Sequence, residues 1–294
     1  MLTKTPQNKY PTITLELGDQ KTTLELGTLI LRLSDLGLRN FQLTNKAKTC
    51  NNSQLFGELC KFLNTKNPEL LQYINWTLTY SLGNNYNGGI RTMELFQEYC
   101  DNIQSLCKSC KLRLQPSILI VSGSTQRKVN SLTILEEQKV NANLFLKDKK
   151  NSNQFGVAFN PFLSDQNLDM EKTRLYKKLK TGKVNTVYIQ IGTNLELLQS
   201  GLEYIRSINT SVKIIICVLL PSQNLLNTWN FRPWRGVFLG SEFLGDLKTA
   251  LDISNNVIQF CNHNNLEILL TVMDWKHFFD QNQFFELELK NNDS

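Results

Sequence analysis

What most constrains this chain is a repeated alternation. Short runs of strand formers recur along its 294 residues, and between them lie segments with apolar side chains every three or four positions. The short runs are ITLELG (13–18), NFQLTN (40–45), INWTLTY (74–80), SILIVSG (117–123), FGVAFNP (155–161), TVYIQIGTN (186–194), KIIICVLLP (213–221) and LEILLTV (266–272). Helical spacing occupies 24–36, 54–63, 93–106, 170–179, 195–208 and 247–261. A helix between two strands carries the chain back to where the first strand began, so the strands it joins run parallel. Eight such units without a break in composition predict an α/β fold, a single (β/α)8 TIM barrel over 1–294 with 1–10 and 291–294 as flexible ends.

Composition narrows the function classes. A hydrophobic share of 41% is enough for a substantial core. The net charge of +6 is spread over 32 basic and 26 acidic residues, which argues against a nucleic-acid footprint. The densest basic stretch, 172–183, reads as the solvated face of a helix. The apolar run Ile214–Leu220 falls far short of the roughly 20 residues of a membrane span. MLTKTPQNKY at the start lacks the apolar centre of a secretory signal, so a cytoplasmic location is expected, with no membrane partner. Seven cysteines, an odd number, suggest reduced thiols. Cys107 and Cys110 have the inner spacing of a zinc knuckle but no second pair, and His263 and His277 are the only histidines. A metal site is therefore not expected, nor is a nucleophile activated by histidine.

Side chains alternate faces along a strand. In TVYIQIGTN, Val187, Ile189 and Ile191 share one face, and Tyr188, Gln190 and Gly192 the other. With the apolar faces turned onto helices, Glu16, Thr44, Thr77 or Thr79, Ser122, Asn160 and Gln190 point inward or upward near the ends of their strands. They would ring the mouth of the barrel, where such folds hold ligands. Glu16, flanked by Leu15 and Leu17, must be paired, solvated by a pocket or protonated. Two long loops are expected, at 140–154 and at 222–246, the second containing NFRPWRGVF. The closing segment WKHFFDQNQFFELELK is expected to pack Phe278, Phe279, Phe284 and Phe285 against the barrel.

The order of these motifs resembles that of the methylenetetrahydrofolate reductases, flavin-containing (β/α)8 barrels, over Thr14 to about Phe279. Leu15-Glu16-Leu17-Gly18-Asp19 is similar to the family's first strand, Phe-Glu-Phe-Phe-Pro-Pro, which implies that Glu16 is a catalytic general acid. Leu43-Thr44-Asn45 resembles a Val-Thr-Tyr that contacts flavin, and Tyr188-Ile189-Gln190 an Ile-Thr-Gln whose amide reads the folate pterin. Beyond the strand Ile215 to Pro221, Asn227 replaces a family glutamine, and Phe231 retains a phenylalanine that stacks on substrate or nicotinamide. Lys178 resembles a lysine that reaches the flavin phosphates. The resemblance implies FAD, held by Thr44, Ser122, Gly123, Ser124, Asn160 and Lys178, with NAD(P)H as reductant.

Several positions depart from the family pattern. Val121-Ser122-Gly123-Ser124 stands where the family has Leu-Arg-Gly-Asp, and Thr77-Leu78-Thr79 where it has His-Leu-Thr. Phe159-Asn160-Pro161 replaces Ala-Tyr-Pro, and Ser164 a histidine. Two readings follow. In one the chain is a divergent flavoprotein oxidoreductase of one-carbon metabolism, reducing 5,10-methylenetetrahydrofolate or a related pterin. In the other it is a flavin-free pseudoenzyme, a binding or scaffolding subunit that forms a homo-oligomer or pairs with an active reductase.

Overall fold

Strand pairing decides how the alternation closes. The computed structural model describes residues 12–15, 22–44, 52–85, 89–122, 131–137 and 155–280. Its strands are β1 (Thr12–Leu15), β2 (Asn40–Leu43), β3 (Asn75–Ser81), β4 (Ser117–Val121), β5 (Phe155–Phe159), β6 (Val184–Ile189), β7 (Lys213–Leu220) and β8 (Glu267–Val272). Each pairs in parallel with the next in sequence. β8 also pairs with β1, Leu269 to Thr271 opposite Thr12 to Thr14, so the strand order closes on itself as a barrel.

Helices α1 (Thr23–Asp35), α2 (Asn52–Lys66), α3 (Pro68–Leu71), α4 (Gly89–Ser109), α5 (Ser131–Glu137), α6 (Asp165–Lys180), α7 (Leu195–Ile208), α8 (Gln223–Trp229), α9 (Leu247–His263) and α10 (Trp275–Asp280) alternate with the strands. Their ends are written in the sequence. Thr22 caps α1 in a reciprocal box: its hydroxyl accepts from the Glu25 N–H at 3.3 Å, and Glu25 Oε2 accepts from the Thr22 N–H at 2.6 Å. Asn194, Ser222 and Asp246 cap α7, α8 and α9 in the same sense. The buried stripe of α7, Leu198, Gly201, Leu202 and Ile205, has the spacing of one helical face.

Two separate apolar layers result. Phe41, Leu78, Ile120, Val157, Ile189 and Ile216 face the helices and belong to the main core. Residues of the opposite parity, Leu119, Tyr188, Ile215 and Leu269, form their own cluster inside the barrel.

Some elements differ from the sequence expectation. β6 stops at Ile189, and beyond it Gly192 makes only an isolated bridge to Phe238. The expected loop 222–246 begins with a full helix, α8, because Ser222 supplies a cap and Leu225, Leu226 and Trp229 supply a buried face. The short α3 starts at Asn67-Pro68, a cap followed by proline in the first turn. Phe278 is buried, and Phe279 lies against Arg32, whose guanidinium carbon is 3.5 Å from the ring centre. The loop 140–154, the two chain ends, Phe284 and Phe285 fall outside the described residues. No helix among the described residues is long and apolar enough to cross a membrane.

Candidate functional site at the barrel mouth

The inward residues build a cup with a floor. Tyr188 crosses the barrel from β6 until its phenol oxygen is 3.4 Å from the Thr77 hydroxyl on β3, either atom serving as donor. The ring lies against Gly156 of β5, where an added Cβ would sit 2.5 Å from Tyr188 Cε2, so only a glycine leaves room for it. Burial pushes the phenol well above the ordinary tyrosine value, with the Thr77 contact opposing, and it stays neutral. Above this floor Val121, Ala158, Gln190 and Cys217 face inward and are half-buried. Burial pushes the Cys217 thiol up to about 12, which keeps it protonated and unreactive at neutral pH.

The segment after β7 closes one side of the cup. Ile191, Leu219, Leu225, Leu226, Trp229 and Phe243 form a second core with Trp234 and Val237 packed on it. Three polar ties hold the segment to the strand ends. Asn160 Nδ2 donates to the Gly236 carbonyl at 2.8 Å, the Gly240 N–H donates to Thr193 Oγ1 at 2.9 Å, and the Thr193 N–H donates to the Phe238 carbonyl at 3.3 Å.

The residues expected in the site separate into groups. Thr44, Asn160 and Gln190 stand at the strand ends with inward parity, half-buried, and the structure brings them to one rim. Gln190 Oε1 accepts from the Ile191 N–H at 3.0 Å. Asn160 is a structural tie as well as a rim residue, since its Oδ1 also accepts from the Phe162 N–H at 3.1 Å. Asn227 is exposed on α8 and accepts from Gln223 Nε2 at 3.0 Å, and Phe231 is 85% exposed beside it. Glu16, Gly123 and Ser124 lie outside the described residues.

Two expectations need correction. Ser122 follows the parity of Ile118 and Ile120, which face the helices, and its hydroxyl accepts from the Ser131 N–H at the start of α5 at 3.3 Å. It trims a helix end instead of lining the cup. Lys178 is buried in the last turn of α6, which returns the chain to the start of β6 at Val184. That turn lies at the end of the barrel opposite the mouth, so Lys178 does not join the other residues.

Sequence reasoning passed over Gln42, Tyr188 and Cys217. Gln42 lies two residues before Thr44, Tyr188 two before Gln190, and Cys217 has the inward parity of Ile215, so the alternation that exposed the rim could have exposed them. Elsewhere, a shallow cleft of about 230 Å³ between α2 and α4 is lined by Ser53, Gln54, Asn102, Ser105 and Leu106, without ionisable groups. No cluster of three or more metal-ligating side chains is found among the described residues.

Fold and mouth together define a parallel β/α barrel with partly polar inward side chains at its strand ends. No protein-family model matches the chain, and no curated protein matches it. Among solved structures, an uncharacterized protein from Clostridium thermocellum that binds two copies of 5-methyl-5,6,7,8-tetrahydrofolic acid is similar with a TM-score of 0.54 and 15% identity, over 96% of this chain and 94% of that one. Active domain 2 of a thermostable chitinase from Pyrococcus furiosus gives a TM-score of 0.47 and 10% identity, over 89% and 83% of the two chains. At 15% identity, the likeness to the Clostridium protein is one of fold, and a fold of this kind hosts many chemistries.

Proposed function

We propose that this chain binds a reduced folate of the 5-methyltetrahydrofolate type in the mouth of a TIM-type barrel, as a cytoplasmic protein of one-carbon metabolism. The observation that carries the reading is the arrangement of inward side chains at the mouth: half-buried Gln190 and Thr44 on the rim, above a buried, neutral tyrosine packed among apolar residues. The fold shared with a protein that binds 5-methyltetrahydrofolate supports it.

A flavin-dependent reductase of the methylenetetrahydrofolate type would ask more of these residues. Of the side chains proposed to hold FAD, Ser122 and Asn160 are engaged with the protein's own backbone, and Lys178 lies at the far end of the barrel. On these placements the proposal is folate binding without a resident flavin. Glu16 keeps its part as a general acid only within the reductase reading.

Calorimetric titration of the purified chain with 5-methyltetrahydrofolate, together with an absorbance spectrum before and after incubation with FAD, tests the proposal. Saturable binding to a colourless protein is expected. Absence of binding at millimolar folate overturns it, and a yellow, stoichiometric preparation returns the reductase reading.

A further inference from the structure

The polar lining of the barrel is unevenly placed. β2 and β3 turn Gln42, Thr77, Thr79 and Ser81 inward, all of them buried. β4 and β7 turn Leu119, Val121, Ile215, Cys217 and Leu219 inward, while β8 contributes Leu269 and Thr271. β2 and β3, side by side, therefore carry amide and hydroxyl groups, whereas Leu119, Ile215 and Leu269 from β4, β7 and β8 cluster with Tyr188 of β6.

Gln42 stands out among these polar groups. It is the last inward-facing residue inside β2, 4% exposed, and its Nε2 donates to Thr79 Oγ1 at 2.7 Å. Its Oε1 is buried and accepts no hydrogen bond. A buried carbonyl oxygen left without a donor costs about 1–3 kcal/mol, and leucine or methionine would fill a similar volume without that cost. Thr44, the next position of the same parity and just beyond the end of β2, is half-buried at the rim.

We propose that Gln42 and Thr79 form a hydrogen-bonding subsite inside the barrel for the edge of a flat nitrogen heterocycle, with Gln42 Oε1 accepting from a ring N–H or an exocyclic amine. A planar ring with donors along one edge suits a buried acceptor beside a hydroxyl, in an interior whose other inward side chains include the apolar Leu119, Ile215 and Leu269. The subsite rests on the folate reading and deepens it by fixing the ligand's direction. The pterin end, with its lactam and amino group, enters first, and the glutamyl carboxylates stay at the rim, where water still solvates them.

The test uses Gln42→Leu and the near-isosteric Thr79→Val, each titrated with 5-methyltetrahydrofolate and with 6-methyltetrahydropterin, which has no glutamyl tail. Both variants are expected to bind both ligands about 10-fold or more weakly. Gln42→Leu is expected to melt no lower than the parent, whereas an amide needed only for folding would lower the melting point. Undiminished binding by both variants, when the parent binds, overturns the subsite and leaves the folate reading standing. Binding of the bare pterin but not of the folate, weakened by Gln42→Leu, keeps the subsite and overturns the folate reading. Failure of the parent to bind either ligand overturns both.

Discussion

Gly156 and Tyr188 show how one small residue sets the depth of the cup. The ring occupies the space that any side chain at 156 would need, with 2.5 Å between an added Cβ and Cε2. Gly156→Ala must push the ring off its place or bend β5 where its register with β6 already shifts, between Phe155 and Gly156. A loss of about 1–3 kcal/mol is expected, read as a lower urea midpoint, and Tyr188→Leu in the same chain should restore much of it. Equal midpoints for parent and Gly156→Ala would show that the ring is not held there. Sequence reading placed Tyr188 on the same face as Gln190 but gave it no task. Alternation reports which side a residue faces, whereas how far a phenol reaches across a barrel depends on the opposing strand.

Among the elements, α6 carries an unusual burden. Its sequence is basic and reads as a solvated helix, yet Lys178 shares the buried stripe with Leu175 and Leu179. Burial pushes its ammonium below the ordinary 10.5, Glu171 opposes and Arg174 adds to the effect. Between the lowered value and 10.5 the unfolded chain holds a proton that the folded chain has released, so stability climbs as pH rises through that window and is lowest beneath it. Lys178→Met is expected to stabilise the protein at neutral pH by about 1–4 kcal/mol and to abolish the alkaline rise. Urea unfolding at neutral and alkaline pH checks both, and a variant less stable than the parent at neutral pH would show that the ammonium is stabilised in place. The resemblance put this lysine at the cofactor because motif order carries no depth. The direction of a returning helix decides which end of the barrel its last turn reaches.

At the scale of the whole molecule, the proposed folate binding would have a thermal consequence. A ligand bound only by the folded chain, present at about 100 times its dissociation constant, adds about 2.7 kcal/mol. The melting point of this chain should rise by about 5 °C with 5-methyltetrahydrofolate, and by less with a folate that lacks the pterin amine. An unmoved melting point at saturating folate would count against the reading. The strand order was legible because each strand announces itself by two-residue alternation and each helix by its stripe, and the pairing of β8 with β1 follows once eight units are strung together. The rim was legible in part, through Thr44, Asn160 and Gln190, whose parity survives into the structure. Ser122 was misplaced because it lies one residue beyond the end of β4, where a helix cap competes for its hydroxyl.

The double duty of Asn160 has a bearing on how this protein can change over time. One amide serves the turn after its own strand and a carbonyl 76 positions away at once. Insertions near Gly236 and substitutions at Asn160 are therefore not independent events: relatives that lose the amide should also show a remodelled, or shortened, stretch between β7 and α9.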